Sequence, residues 1–567
     1  GALMLAAAGM ALTVLVTIGL AAYSSRLART TGDFYVASRS VPAWWNASAI
    51  SGEYLSAASF LGVAGLIMVG GADAVWFPVG YAVGYVLLLA LVAAPLRRSG
   101  AYTLPDFAEA RLRSRRVRLI ASALVILIGW LYVLPQLQGA GLSLQILLDT
   151  PVWVGGLLVS ITVLVVIVGG GMRSVTLVQG FQYWLKVVAI MLPVLFLLAA
   201  WRADGAPSAL ADTPPTFAET TTVTVSTDVT VQVPQAVIVD VNGQPQQWPA
   251  GERTVEPGTV TFPAGAEVPH LDTTPILTGS SWGQALQGGQ EHALYRTYAL
   301  MFALFLGTMG LPHVLVRFYT NPDGRQARLT ALVVIGLVGL FYLAPSVYGM
   351  LGRLYTPELL MTGRTDAVVL LLPQALVPGS MGHWLTALVS AGAAAAFLAT
   401  ATGLTVTVAG VLSQDIVSRR VRNPIVAFRI AAAAAVIVPF LLGLFAASLP
   451  LARAVSLAFA VAAATFSPLL LLGIWWSRLT DVGAAAGLAV GGIMATVAIA
   501  VSTLVPLSGW PAALLSQPAA WAMPAALLTM VVVSRRTPHR IPRGVDRIMI
   551  RLHTPEAVAV NQTWSAR

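Results

Sequence analysis

The chain has 567 residues, 57% of them hydrophobic and only 10% charged, which is too little charge for a soluble protein of this length and places it in the bilayer. It has no cysteine and six histidines without HxxH or HExxH spacing, which excludes disulfides, thiolate metal sites and cysteine nucleophiles and leaves a metal hydrolase nothing to stand on. The net charge of +10 would suit a nucleic-acid binder, but the arginines are placed by membrane topology, so no nucleic-acid partner is expected.

Crossing the hydrocarbon takes about 20 apolar residues, and about 13 stretches meet that need. The first, Leu3–Tyr23, has neither a basic segment before it nor a small-residue cleavage site after it, and reads as a retained helix. Trp45–Val69, Val75–Leu96, Leu119–Leu148, Val152–Val168 and Ser174–Ala200 follow. After a polar interval come Ala299–Tyr319, Leu329–Leu351, Trp384–Val411, Ala427–Ala447 and Leu451–Trp475, then Val482–Val505 and Pro518–Val533.

Arginines alternate with these spans. Arg26, Arg29 and Arg39 follow the first; Arg97, Arg98, Arg111, Arg113, Arg115, Arg116 and Arg118 follow the third. Arg317, Arg325 and Arg328, then Arg419, Arg420 and Arg422, then Arg478 lie on the same side, as do Arg535, Arg536, Arg540, Arg543, Arg547 and Arg551 of the tail. The opposite loops are nearly free of them, Arg353, Arg364 and Arg453 excepted. This predicts an outside N-terminus and a cytoplasmic C-terminus in a bacterial-type plasma (inner) membrane. Residues 202–292 are the anomaly, alternating β-branched and polar residues around Asn242–Gly243. They read either as a small β-rich extracytoplasmic insert or as a disordered loop.

With the first span set aside, spans two to six and seven to eleven form two groups of five. Five is odd, so the second group enters from the opposite side, as in an inverted repeat. Both first helices carry interruptions: SGEYLSAASFLGVAG at Ser51–Gly65, and GTMGLPH at Gly307–His313 with Pro312 inside. Such breaks free backbone carbonyls for a cation or solute; the bland alternative is close helix packing by small residues. Glu53, Arg173, Gln179, Gln182 and Lys186 fall in or near apolar spans, where ionisable groups face a cavity or a partner. Glu53 suits coupling or gating, while Lys186 is equally a snorkelling or structurally paired side chain. Of Thr400, Thr402, Thr405 and Thr407 in span nine, most are expected to bond to their own helix. The implied divisions are 1–44 (first helix and loop), 45–201 (first repeat), 202–292 (insert), 293–476 (second repeat), 477–534 (two further helices) and 535–567 (basic tail).

The segments GEYLSAASFLG, AYTLPDFAEARL, LYVLPQLQGAG, GGGMRSVTLVQ, GTMGLPHVLVRFYT and GLTVTVAGVLSQDIV resemble the sodium:solute symporter family, and within it the acetate (monocarboxylate) permease branch. The resemblance implies an all-α polytopic membrane protein of leucine-transporter-like fold, a 5+5 inverted repeat working by alternating access. It also implies a Na+ site between the unwound first helix and span nine. Its ligands fall on the backbone of Gly52, Leu55 and Ala396 and on the hydroxyl positions Ala399 and Thr400, where Ala399 departs from the pattern by having no hydroxyl. The sodium-associated aspartate of the proline carriers falls on Tyr54.

Substrate and gating roles fall on Glu53, Tyr54, Ser56, Ser59, Gly307, Thr308, Gly310 and His313, with Gln179 and Gln182 as supporting polar groups. The polar residues of the sugar carriers fall near Leu304 and Gly307, which speaks against a polyhydroxylated solute. The Gly-Leu-Pro-His sequence is similar to that of carriers whose substrates share a carboxylate. The expected function is Na+-coupled symport of a short monocarboxylate such as acetate. Proton-coupled carboxylate symport, sodium symport of a proline- or pantothenate-like solute, and a membrane sensor are the alternatives. No P-loop, HExxH or GxSxG context points to an enzyme. The sequence leaves the oligomeric state open.

Overall fold

The structure is a computed structural model that describes residues 2–26, 37–286, 291–445 and 450–556. Arg29, the expected end of the tenth span at Ala447 and the tail beyond Glu556 lie outside the described residues. Helix α1 is Ala2–Ser25. The second expected span is two pieces, α2 (Ala43–Tyr54) and α3 (Val63–Gly70), joined through a single π-turn at Ala58–Gly62. Next come α4 (Trp76–Leu91), the short α5 (Leu104–Leu112), α6 (Arg115–Leu148) and α7 (Val152–Ala203). Local chemistry sets several of these starts: Thr103 and Asp106 form a capping box on α5, and the Ser114 hydroxyl accepts from the Val117 N–H on α6.

After the strands the chain returns as α8 (Ala293–Thr308) and α9 (Pro312–Phe318), again one expected span in two pieces. Then follow α10 (Gly324–Phe341), α11 (Pro345–Tyr355), α12 (Ser380–Asp415) and α13 (Pro424–Gly443). The last long helices are α14 (Leu451–Trp475), α15 (Asp481–Leu504) and α16 (Ala519–Arg536). Among the described residues, ten helical units are long and apolar enough to cross a membrane, or eleven if the bent pair Gly509–Ser516 and Ala519–Arg536 is one span. The expected 13 differs because two pairs of expected spans fall together in single units, Ala58–Leu91 and Val152–Ala203, although each pair is divided by a non-helical glycine, Gly71 and Gly171. Helix α7 bends at Gly171, whose φ of 56° and ψ of −138° suit only glycine.

Helix α12 is the central post. Every residue from Gly392 to Val411 is buried, and the helix packs against α1, α6, α7 and α13. The alanine run Ala393–Ala396 suits such close approach on several sides. Outside this bundle, β1 (Thr221–Val225), β2 (Val229–Val233), β3 (Val237–Val241), β4 (Gln244–Trp248), β5 (Gly251–Val255), β6 (Gly258–Phe262) and β7 (His270–Leu271) form two antiparallel sheets, ordered β1-β6-β3-β4 and β5-β2-β7. Asn242 and Gly243, both at positive φ, join β3 (Val237–Val241) to β4 (Gln244–Trp248) in the manner of a two-residue hairpin. The sheets enclose Phe217, Val231, Trp248, Val260 and Phe262 together with Met361 from the helical part.

Candidate functional site

The site begins with the end of α2. Leu55 leaves the helix at φ −78° and ψ 81°, and the Ser56 N–H turns back to the Tyr54 carbonyl at 3.0 Å. The helix resumes when the Phe60 N–H reaches the Ser56 carbonyl at 2.9 Å. In the gap, the Ala57 N–H donates to Gln136 Oε1 of α6 at 2.9 Å and the Ala58 N–H to the Ser56 hydroxyl at 3.1 Å. The break therefore has its donors satisfied and its carbonyls turned elsewhere, as buried backbone requires.

Those carbonyls face α7 and α12. Lys186 Nζ donates to the Gly52 carbonyl and, at 2.6 Å, to the Leu55 carbonyl. The Thr400 hydroxyl donates to the Glu53 carbonyl between them. Gln179 Nε2 donates to the Ala399 carbonyl at 2.5 Å. Ala396 is buried one turn before Thr400 on the same helix. The other threonines are self-bonded: Thr402, Thr405 and Thr407 donate to the carbonyls four residues back, at 2.6, 2.6 and 2.9 Å. At Gly52 α2 lies close against α7, since a Cβ there would run into the Gln179 carbonyl and lie 3.3 Å from Tyr183 Cβ.

The Glu53 side chain points away from that junction. Its Oε2 accepts from Arg317 Nε at 2.8 Å, and both side chains are fully enclosed. Arg317 Nη1 also donates to the Thr176 hydroxyl at 2.7 Å, and the Arg317 carbonyl accepts from Asn46 Nδ2 at 2.9 Å. Glu53 packs against Gly403 of α12, where no side chain would fit. This corrects the sequence reading twice. Arg317 belongs to no loop but stands inside the protein at the end of α9, and Arg111 is likewise buried, donating to the Gly473 and Trp476 carbonyls at 2.7 and 2.9 Å. The signal for Arg317 was available: a buried Glu53 requires a partner, and Arg317 stands one turn beyond His313.

The second break lies opposite the first. Gly310 caps α8 with its N–H on the Gly307 carbonyl at 2.9 Å, and Leu311 is extended before Pro312 starts α9. A Cβ at Gly307 would strike the Phe459 carbonyl and one at Gly310 the Ala462 carbonyl, at 2.6 and 2.8 Å. The Tyr54 hydroxyl lies 2.7 Å from the Tyr81 carbonyl and 3.0 Å from the Thr308 hydroxyl, tying the two breaks together. Around them Tyr54, Tyr81, Tyr85, Tyr132 and Phe459 form one aromatic cluster, with the His313 ring 4.8 Å from that of Tyr132. The Tyr81 and Tyr85 hydroxyls and both His313 ring nitrogens are buried without a hydrogen-bond partner among the described residues. Ser59 bonds to the Tyr342 hydroxyl at 2.7 Å, beside the cluster. Gln182 turns instead to α1, where it donates to the Thr17 hydroxyl at 3.2 Å. Arg173 is only half-buried. A cavity of about 630 Å³ opens elsewhere, between Tyr102, Asp106, Arg118, Gln414 and Arg422.

Gly52, Leu55 and Thr400 do converge, and oxygen is the ligand a hard cation prefers. In this arrangement, however, both carbonyls are engaged by an ammonium and the threonine donates its proton to a carbonyl. A sodium ion within about 4 Å of Lys186 Nζ would be repelled by about 4 kcal/mol at an effective dielectric constant of about 20. These residues do not fit sodium while Lys186 is there.

The model of the sodium:solute symporter family matches residues 34–239 and 281–491. A monocarboxylic acid transporter of Corynebacterium glutamicum is 30% identical over 542 residues, 91% of this chain and 88% of its own. The uncharacterised symporter YwcA of Bacillus subtilis is 30% identical over 498 residues, 87% of this chain and 84% of its own. Among solved structures, a Na+-coupled sialic acid symporter in a substrate-bound outward-open state superposes with a TM-score of 0.63 at 14% identity. It covers 94% of this chain and 97% of that one. MHP1, a nucleobase-cation-symport-1 family transporter in a closed conformation, gives 0.50 at 12% identity over 92% and 99%. The fold is that of the leucine-transporter-like carriers. Broken helices, multiple apolar spans and matches along most of the chain agree, and the chain belongs to the sodium:solute symporter family.

Proposed function

We propose that this protein is a secondary active symporter that moves a short monocarboxylate such as acetate by alternating access, driven by a cation gradient. The observation that carries this reading is the meeting of two interrupted helices around buried polar groups with no partner among the described residues: His313 and the Tyr81 and Tyr85 hydroxyls. Such groups cost free energy unless a ligand engages them, and His313 and the tyrosines offer donors to a carboxylate. The aromatic cluster between the breaks is tightly closed, which suits a solute of a few atoms. Similarity to a monocarboxylic acid transporter supports the same substrate class.

Sodium as the driving ion is supported by membership of the family. Proton-coupled carboxylate symport is the second reading, favoured by Lys186 on the Gly52 and Leu55 carbonyls. The two groups of five spans are read as an inverted repeat whose first helices are α2 with α3 and α8 with α9. Thirteen crossings are retained in this reading: α7, at 52 residues and about 1.5 Å per residue, is more than twice as long as the hydrocarbon is thick. The protein is placed in a bacterial-type inner membrane, with the strands outside and the basic tail in the cytoplasm.

The test is uptake of labelled acetate into proteoliposomes under an imposed sodium or proton gradient. Uptake driven by either gradient, competed by propionate or pyruvate and not by glucose, is the expected result. Sugar uptake without carboxylate uptake would refute the substrate class.

A further inference from the structure

The carbonyls that the family resemblance gives to a coupling sodium ion are occupied by part of the protein. Lys186 is wholly buried in α7, and its two hydrogen bonds go to Gly52 and Leu55. Among the described residues it has no ion-pair contact, since the nearby carboxylate, Glu53, turns its Oε2 to Arg317 at 2.8 Å. The Tyr183 hydroxyl, on the same helix, donates to the Leu337 carbonyl, and the Tyr348 hydroxyl of α11 to the Ile190 carbonyl. From α12 the junction receives Thr400, which holds the Glu53 carbonyl between the two that Lys186 holds.

A buried ammonium is costly unless its donors are paired. Here the pairing comes from the frayed C-terminal end of α2, where carbonyls have no helical partner and the dipole is negative. That is the environment a broken helix offers to a monovalent cation. An ammonium is compact, singly charged and a donor in several directions, so it meets the same requirements. It differs from sodium in one respect: its four-carbon stem is fixed to α7, and it cannot leave with the solute.

We infer that the Lys186 ammonium is a built-in substitute for the coupling sodium ion, so that no sodium ion binds among Gly52, Leu55 and Thr400. The inference rests on the reading of the chain as a symporter of this family, but not on which solute it carries. It accounts for a second departure at the same place. Ala399 lacks the hydroxyl that the family pattern expects, and its carbonyl is taken by Gln179 at 2.5 Å. A site with no ion to surround does not need that oxygen.

The experiment is equilibrium binding of ²²Na⁺ to the purified full chain, comparing the wild type with Lys186→Met. Removing the ammonium while keeping an unbranched side chain frees both carbonyls. The variant is expected to bind about one sodium ion per chain more than the wild type, and an equal count in the two proteins overturns the inference. Because Lys186→Met removes a buried contact and could fail to fold, a second measurement uses the wild type alone: acetate binding in sodium chloride against choline chloride. The affinities are expected to agree within about twofold, and a larger gain in sodium overturns the inference. If acetate binds in neither salt, the carboxylate reading fails, and the sodium count still decides the role of Lys186.

Discussion

Glu53, Arg317 and Lys186 show how three charges can be held where each alone would be prohibitive. Glu53 and Arg317 neutralise one another, and Lys186 donates to carbonyls at the end of a helix. Removing one partner of a buried pair is far more damaging than lacking the pair, because the other charge stays behind. Arg317→Gln is therefore expected to destabilise the protein by about 3–5 kcal/mol, read as a fall in thermal unfolding temperature in detergent. Glu53→Gln combined with Arg317→Gln should recover part of that loss; single variants as stable as the parent would show that the pair is not enclosed. Glu53 and Lys186 were legible in the sequence as charges inside apolar runs. Arg317 was missed by hydropathy, which reports depth only by neighbours, and its neighbours in the sequence are the loop arginines Arg325 and Arg328; only the need of Glu53 for a partner pointed to it. Thr400 stood out from Thr402, Thr405 and Thr407 only through the family resemblance. Which of four similar hydroxyls escapes its own helix depends on what lies across from it.

Elements carry the interruptions, and these were the most legible feature of all. Gly52 with Ser56, and Gly310 with Pro312, weaken helices through entropy and a missing donor, and both breaks occur where those residues are. The β-rich segment was equally readable, from strict alternation and the Asn242–Gly243 turn. Continuity was not. Expected spans five and six meet at a non-helical glycine, and GGG at Gly169–Gly171 marks that weak point without saying whether the helix stops or turns there. At Gly171 the backbone takes φ 56° and ψ −138°, a region that costs a residue with a Cβ about 1–3 kcal/mol. Gly171→Ala should lower the unfolding temperature accordingly. Gly19→Ala makes the control, because an added Cβ there meets nothing within 4 Å. Equal behaviour of the two variants would mean that the bend is not fixed by its glycine.

At the scale of the molecule, the arginines do more than mark a side. Arg39 donates to the Gly100 carbonyl at 2.8 Å, Arg97 to the Asn321 carbonyl at 2.5 Å, and Arg551 to the Arg98 carbonyl at 3.0 Å. Arg118 bridges Asp106, Glu109 and Asp415 at 2.6, 3.0 and 2.6 Å, joining α5, α6 and α12. Arg540 pairs with Asp481 at 2.6 Å. These contacts gather helix ends with the tail into one charged layer, where guanidinium groups satisfy the carbonyls that helices leave open. On another part of the surface, Arg353 reaches the Leu277 and Met68 carbonyls and lies over Trp282, 4.9 Å from its ring centroid. The stretch that follows the strands is thereby held against the end of α3. An excess of arginine in short loops orients membrane proteins with those loops in the cytoplasm, and the orientation proposed above, with the strands outside, follows that rule. The chain has no cysteine, so a single introduced one is an unambiguous reporter. Gln247 on β4 and Arg543 in the tail are both exposed. In intact cells a membrane-impermeant maleimide is expected to label Gln247→Cys and to leave Arg543→Cys unlabelled until the membrane is opened. The reverse pattern would invert the protein, and would mean that the charged layer is held together by its helix ends without reporting the cytoplasmic side.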